Sequence, residues 1–80
     1  MNVSVDISYY PLKVEFKPHI LDFIHRLQEY KELEIIRNGI STQVFGKYDE
    51  VMQILTKEIK NSFELPHSVF VLKIINTDLS

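Results

Sequence analysis

The 80-residue chain is long enough for one small domain with a thin hydrophobic core. Its net charge is −2 and it has no run of Lys and Arg, which argues against a nucleic-acid partner. It has no cysteine, which excludes a disulfide scaffold, a cysteine-ligated zinc site and a thiol nucleophile.

The first half of the sequence predicts a strand, a helix and a second strand. Residues 3–10 alternate between apolar and polar side chains, as a half-buried strand does. Pro18 suits the first turn of a helix, where its missing N–H costs nothing. Apolar residues at helical spacing follow it, and together they predict a helix over about 18–31. Residues 33–37 form a short β-rich run. Asn38-Gly39 then signals a hairpin, because both residues tolerate positive φ.

The second half predicts a strand, a helix and a last strand. Residues 41–47 are predicted to form a strand. Asp49 and Glu50 follow it, and acidic side chains are favoured at a helix N-terminus. Apolar residues then recur at helical spacing, which predicts a helix over about 49–62. The near-continuous apolar run 68–75 predicts the final strand. Residues 77–80 are expected to be a loose end.

This order of elements predicts a ferredoxin-like α+β sandwich, as a single domain over residues 1–80. Right-handed crossovers give a four-stranded antiparallel sheet of order 4-1-3-2, with both helices on one face. The alternation predicts which side chains face the helices: Val3, Val5, Ile7, Val44, Phe70, Leu72 and Ile74. It also predicts an open face: Ser4, Asp6, Ser8, Tyr10, Ser41, Gln43, Phe45, Val69, Val71, Lys73 and Ile75. In strand 2, Ile35 and Ile36 compete for the core.

Asp6 is the most informative charged residue, because aspartate is disfavoured in the middle of a central strand. One interpretation is a carboxylate that awaits a cation or an amine donor. The other is an ion that faces solvent or pairs with Lys73 on strand 4, with little energetic effect.

The polar and aromatic side chains of the open face suit a planar ligand. Tyr10 and Phe45 can stack on a ring, while Ser41 and Gln43 can bond its polar edge. The same residues can instead pack against a second subunit, and the two interpretations are compatible. Self-association would also stabilise a chain with so small a core.

Catalysis is not indicated by any constellation of residues. His19, His25 and His67 lack the spacing of metal ligands, and no nucleophile, base and oxyanion donor come together. We therefore expect no enzyme, no metal and no cofactor. No apolar run approaches the roughly 18–20 residues that cross a membrane, and no signal peptide is recognisable, so the expected location is cytoplasmic with no membrane partner.

Two motifs resemble the YkoF-like thiamine/hydroxymethylpyrimidine-binding family, and the likeness runs over nearly the whole chain. One is ISYYPL at 7–12, and the other is NGISTQVFG at 38–46 followed by YDEV at 48–51. The resemblance implies a non-catalytic ferredoxin-like module that binds thiamine or its hydroxymethylpyrimidine part and associates as dimers or tetramers. The ligand-binding positions within the matched motifs are Tyr10, Ser41, Thr42, Gln43 and Phe45, to which the sheet pattern adds Asp6.

Two functions thus remain in view from the sequence. The first is a binding module for thiamine or hydroxymethylpyrimidine, working as a homo-oligomer. The second is a structural or regulatory homo-oligomer that uses the open sheet face for self-association. Binding separates the two, because a ligand stabilises only the folded state to which it binds.

Overall fold

The computed structural model of the chain describes residues 1–39 and 41–80. Its elements are, in chain order, β1 (Asn2–Pro11), α1 (Lys17–Gln28), β2 (Glu34–Arg37), β3 (Thr42–Lys47), α2 (Tyr48–Ser62) and β4 (Ser68–Ile75). They form the predicted α+β arrangement. Within the described residues, no helix is long and apolar enough to span a membrane.

The four strands form one antiparallel sheet of order β2-β3-β1-β4, which confirms the predicted order. β1 is central, and Asp6 lies between Gln43 on β3 and Lys73 on β4. Because the side chains of paired residues point to the same face, this register places all three on the open face.

The core lies between the helices and the predicted face of the sheet. Val3, Val5, Ile7 and Val44 are all buried, together with Phe23, Leu27, Val51 and Leu55 from the helices. Ile35 packs against this core, whereas Ile36 lies on the open face and is 47% exposed. Ile74 points to the helix side but stays exposed, because it lies on the edge strand.

An aromatic cluster closes the core at one end. The ring of Tyr9 stacks on Phe70, with centroids 4.2 Å apart, and meets Phe23 edge-on at 5.6 Å. These contacts tie β1 to α1 and β4. They explain why a tyrosine occupies a core position in β1, because its ring adds a large apolar area to a small core.

The two helices are linked by a partly buried polar cluster, which we call the Arg26–Glu58 cluster: Arg26 of α1, Tyr30 just after α1, and Glu58 and Ser62 of α2. Arg26 Nη1 donates to Glu58 Oε1 at 2.5 Å, and Tyr30 Oη donates to Glu58 Oε2 at 2.6 Å. Arg26 Nη2 also donates to Ser62 Oγ at 2.5 Å. Burial raises the pKa of Glu58, but the hydrogen bonds from Tyr30, Arg26 and Asn61 outweigh it, so the pKa is lowered overall.

The end of α1 and the hairpin differ in detail from the prediction. α1 ends at Gln28 rather than near residue 31, because Tyr30 N–H bonds to Leu27 O in a tighter turn.

In the hairpin, neither Asn38 nor Gly39 adopts positive φ. Instead, Ser41 N–H donates to Asn38 Oδ1 at 2.9 Å, so the asparagine acts through its side chain. Ile40, part of the predicted motif, lies outside the described residues.

The C-terminal segment after β4 is not a loose end, and that prediction was wrong. Ser4 Oγ donates to Thr77 O at 2.6 Å and accepts from Leu79 N–H at 2.9 Å. The segment therefore turns inward across the open face and buries Ser4.

Gly46 is required because β3 comes very close to the backbone before β2 and to the side chain of Val51 on α2. A Cβ at this position would lie 3.0 Å from the backbone oxygen of Glu32 and 3.0 Å from Val51 Cγ2. Gly39, by contrast, has nothing within 4 Å of such an atom.

Candidate functional site

The centre of the open face holds a closed triangle of polar side chains, which we call the Asp6 triad: Asp6, Ser41 and Gln43. Asp6 Oδ1 accepts from Ser41 Oγ at 2.8 Å and from Gln43 Nε2 at 2.7 Å. Gln43 Nε2 also donates to Ser41 Oγ at 2.9 Å. The antiparallel pairing of β1 with β3 sets this arrangement, because it places Gln43 directly opposite Asp6.

The Asp6 carboxylate is held in its ionised form. The hydrogen bonds from Gln43 and then Ser41 lower its pKa, partial burial opposes them, and the charge of Lys73 adds to the lowering. Lys73 acts at longer range, since the described residues include no ion pair between Lys73 and Asp6 within 4.0 Å. Both bonds to the carboxylate end on Oδ1, and among the described residues Oδ2 accepts none. Asp6 therefore retains an acceptor for a further donor.

Tyr10 lies on the same face and strand as Asp6, four residues further along. At about 3.3 Å per residue, its Cα is roughly 13 Å from that of Asp6. The side chain is 52% exposed and lies opposite Val69. It is therefore accessible, but it is separate from the Asp6 triad.

Phe45 also lies on the open face, yet it is only 6% exposed. It pairs with Ser4, the residue across which the C-terminal segment turns, and it lines a groove together with Asp78. A ring so covered does not offer a free face for stacking on a ligand. This differs from the prediction, which placed Phe45 at an accessible surface.

Thr42 lies on the other side of the sheet, since it falls between Ser41 and Gln43 in the alternation. It is 7% exposed and lines a cavity of about 80 Å³ between the sheet and α1. The cavity wall includes Ile7, Ile20 and Phe23. The structure thus brings Asp6, Ser41 and Gln43 together, and it separates Tyr10, Thr42 and Phe45 from them.

A metal site is not formed by the described residues, in which no group of three or more His, Asp and Glu side chains converges. Sequence reasoning missed the Arg26–Glu58 cluster, whose members come from two segments far apart in the chain. Its carboxylate and guanidinium are saturated by one another and by neighbouring groups, so the cluster acts as a structural link.

Comparison with known proteins shows the fold. No family model and no curated protein matches the sequence. Among solved structures, a Streptococcus pneumoniae protein is 21% identical with a TM-score of 0.88, covering 99% of this chain and 90% of its own.

Two further structures share this arrangement. A Thermotoga maritima protein, described as a candidate thiamine biosynthesis or salvage protein, is 18% identical with a TM-score of 0.86, covering 96% of this chain and 85% of its own. A hypothetical protein of Methanocaldococcus jannascii is 20% identical with a TM-score of 0.82, covering 99% and 84%. At these identities the likeness establishes that the chain has the fold of these proteins.

Proposed function

We propose that this protein is a non-catalytic module that binds thiamine or its hydroxymethylpyrimidine part at the Asp6 triad. The observation that carries the proposal is the ionised Asp6 carboxylate, which is fixed through Oδ1 and has Oδ2 available on an open sheet face. The Thermotoga maritima neighbour supports the ligand class through its description.

The chemistry of the ligand matches the triad. An aminopyrimidine presents an amino donor beside a ring-nitrogen acceptor, and a carboxylate oxygen is a strong acceptor for the amino group. Asp6 is pre-oriented by its neighbours, so little side-chain entropy is lost on binding. The thiazolium ring of thiamine is cationic, and it would be attracted by the negative charge of the Asp6 carboxylate.

Titration calorimetry with thiamine and hydroxymethylpyrimidine tests this proposal. D6N keeps the shape of the side chain but removes its charge, and the loss of a hydrogen bond to a charged group should weaken binding by roughly 10- to 100-fold. E34Q is the matched control, because Glu34 is an exposed carboxylate on the same face of β2 and its loss should leave affinity unchanged.

A third variant, T42V, probes the cavity on the opposite side of the sheet. If T42V abolished binding while D6N did not, the binding site would depend on the opposite side of the sheet and the role of Asp6 would be refuted. If the folded wild-type protein bound neither compound at millimolar concentration, the proposal itself would fail.

The second candidate function is a structural or regulatory homo-oligomer built on the open face. The observation that favours it is the exposure of Val69, Val71 and Ile75 on that face, since exposed apolar groups in a row are typical of interaction surfaces. Absence of ligand binding together with a multimeric mass would support this function over the first.

A further inference from the structure

The helix side of the molecule has a cavity that the Asp6 triad does not use. It has a volume of about 500 Å³ and lies between α1 and the end of α2, across the sheet from the triad. We call it the Tyr9 cavity. Its lining is mostly polar and includes Tyr9, Asp22, Arg26, Ser62 and Glu64. The volume suits a small molecule, since ligand pockets typically enclose about 300–1,000 Å³.

The hydroxyl of Tyr9 has no role in the packing of the core. The residue is only 9% exposed, and its ring contacts Phe23 and Phe70 as the ring of a phenylalanine would. Buried hydroxyls normally have a hydrogen-bond partner. Among the described residues, however, no group bonds to this hydroxyl, and no sealed side-chain polar atom lacks a partner. The Tyr9 oxygen is therefore open to a cavity and available to a ligand there.

The size of the surrounding space decides which cavity that ligand would occupy. Tyr9 also borders the smaller cavity near Thr42, which has a volume of only about 80 Å³. That volume is well below the size of a typical ligand pocket. The Tyr9 cavity is thus the one with room for a molecule beside the hydroxyl.

The charges around the Tyr9 cavity favour a cation. Asp22 and Glu64 contribute carboxylates to its wall, and no lysine among the described residues lines it. Arg26 does not offset both carboxylates, because its guanidinium already bonds to Glu58 as well as to Asp22. An anion would meet an excess of negative charge in this cavity, whereas a cation would be attracted.

The arrangement of the acceptors suits an organic ammonium rather than a metal ion. In the part of the chain that the structure describes, no three His, Asp or Glu side chains converge as metal ligands. A primary ammonium instead has three N–H donors that can bond to separate acceptors. The Tyr9 oxygen and the carboxylates of Asp22 and Glu64 are three acceptors in one cavity. Asp22 accepts from Arg26 through Oδ2, so its Oδ1 is left for a ligand.

We propose that the Tyr9 cavity binds a small primary amine, whose ammonium donates to the Tyr9 hydroxyl oxygen and to the carboxylates of Asp22 and Glu64. The site lies on the helix side of the sheet, whereas the Asp6 triad lies on the open face. Binding at either site can therefore be measured, and can fail, without the other.

A nuclear magnetic resonance titration of the isotopically labelled 80-residue chain tests the proposal. Butylamine is the probe, and tetramethylammonium is the matched cation, because it has the same charge but no N–H donor. Butylamine should shift the backbone amide signals of residues 19–26 and 61–65, which surround the cavity, in a saturable manner. Tetramethylammonium should leave these signals nearly unchanged.

Variants assign the binding to the named acceptors. Y9F keeps both ring contacts and removes only the hydroxyl, so it should weaken butylamine binding about 10-fold without lowering Tm. Y10F is the matched control, since Tyr10 is the adjacent tyrosine on the open face and should not affect binding. E64Q should weaken binding about 2- to 5-fold, as expected for an exposed ion pair. D6N should leave butylamine binding intact.

Four results would overturn the proposal. The first is the absence of saturable shifts with butylamine at millimolar concentration in the folded protein. The second is equal binding of tetramethylammonium, which would show attraction by charge alone. The third is binding of inorganic phosphate in place of butylamine, which would make Arg26 the ligand-binding group. The fourth is a Y9F variant that loses stability but keeps its affinity for butylamine, which would make the hydroxyl a structural group.

Discussion

Replacing Tyr30 by Phe isolates one bond of the Arg26–Glu58 cluster. The variant Y30F removes only the hydroxyl that donates to Glu58 Oε2 at 2.6 Å, and it leaves the ring in place. The acceptor carboxylate is buried, so water does not readily replace the lost donor. Hydrogen bonds to charged groups contribute about 1.5–3 kcal/mol, so we expect the free energy of unfolding to fall by about 2 kcal/mol.

The loss should be large relative to the stability of such a chain. For a domain of this size, about 2 kcal/mol corresponds to a decrease in Tm of roughly 8–16 °C. Urea unfolding followed by circular dichroism at pH 7 measures it directly. Y48F is the matched control, since Tyr48 is exposed and its hydroxyl donates no hydrogen bond to the described residues, and it should leave stability nearly unchanged.

A double-mutant cycle with E58Q tests whether the free energy lost in Y30F comes from the bond between Tyr30 and Glu58. Removing the charge of Glu58 weakens the bond that Tyr30 makes, so Y30F should cost less in the E58Q background. The same cost in both backgrounds, or a cost no greater than that of Y48F, would refute the idea that the Tyr30 hydroxyl stabilises the fold through Glu58.

Three further predictions follow from the described contacts. Glu58 and Asp6 both have lowered pKa values in the folded state. Their contribution to the free energy of unfolding is therefore fully present above the unfolded pKa of roughly 4. It is lost as the pH falls through the lower pKa values of the folded state. Urea midpoints should therefore drop between pH 5 and pH 3, and a flat profile would contradict this assignment. G46A should lower the free energy of unfolding by about 1–3 kcal/mol in thermal melts, because the added Cβ would clash with Glu32 and Val51. G39A is the control and should be neutral, since nothing lies near that position. Equal effects of the two substitutions would argue against the close approach at Gly46. S4A removes the anchor of the C-terminal segment and should speed hydrogen exchange at the backbone amide of residue 79, and unchanged exchange would show that the segment is held by other contacts.

The fold was predictable because the apolar pattern is clear in every element except β2, where Ile35 and Ile36 compete for the core. The alternation in β1 and β3 places valine and isoleucine on one face only, and a one-residue slip would expose all of them, so Val5 and Val44 come to lie side by side in the core. The same alternation predicted that Asp6, Ser41 and Gln43 share a face. It also placed Thr42 on the other face, and only the family resemblance grouped Thr42 with the site.

The remaining features depend on contacts that leave no local pattern in the sequence. Ser4 bonds to a backbone oxygen 73 residues away, and a serine on an open face gives no sign of such a partner. That contact and the burial of Phe45 beside it remove Phe45 from the accessible surface of the candidate site. Arg26 and Glu58 are 32 residues apart on helices where charged side chains usually face water, so their pairing could not be recognised from spacing alone.

The position of β1 between β3 and β4 sets constraints on how the chain acquires its structure. β1 is made first during synthesis, yet one of its two neighbours is the last strand, and Ser4 lies opposite Ile75. Pairing across nearly the full length of the chain raises the contact order, which slows folding relative to helical domains of similar size. A nascent chain that has not yet released β4 from the ribosome lacks both that pairing and the Tyr9–Phe70 stack, so this domain should fold only after translation of its final strand.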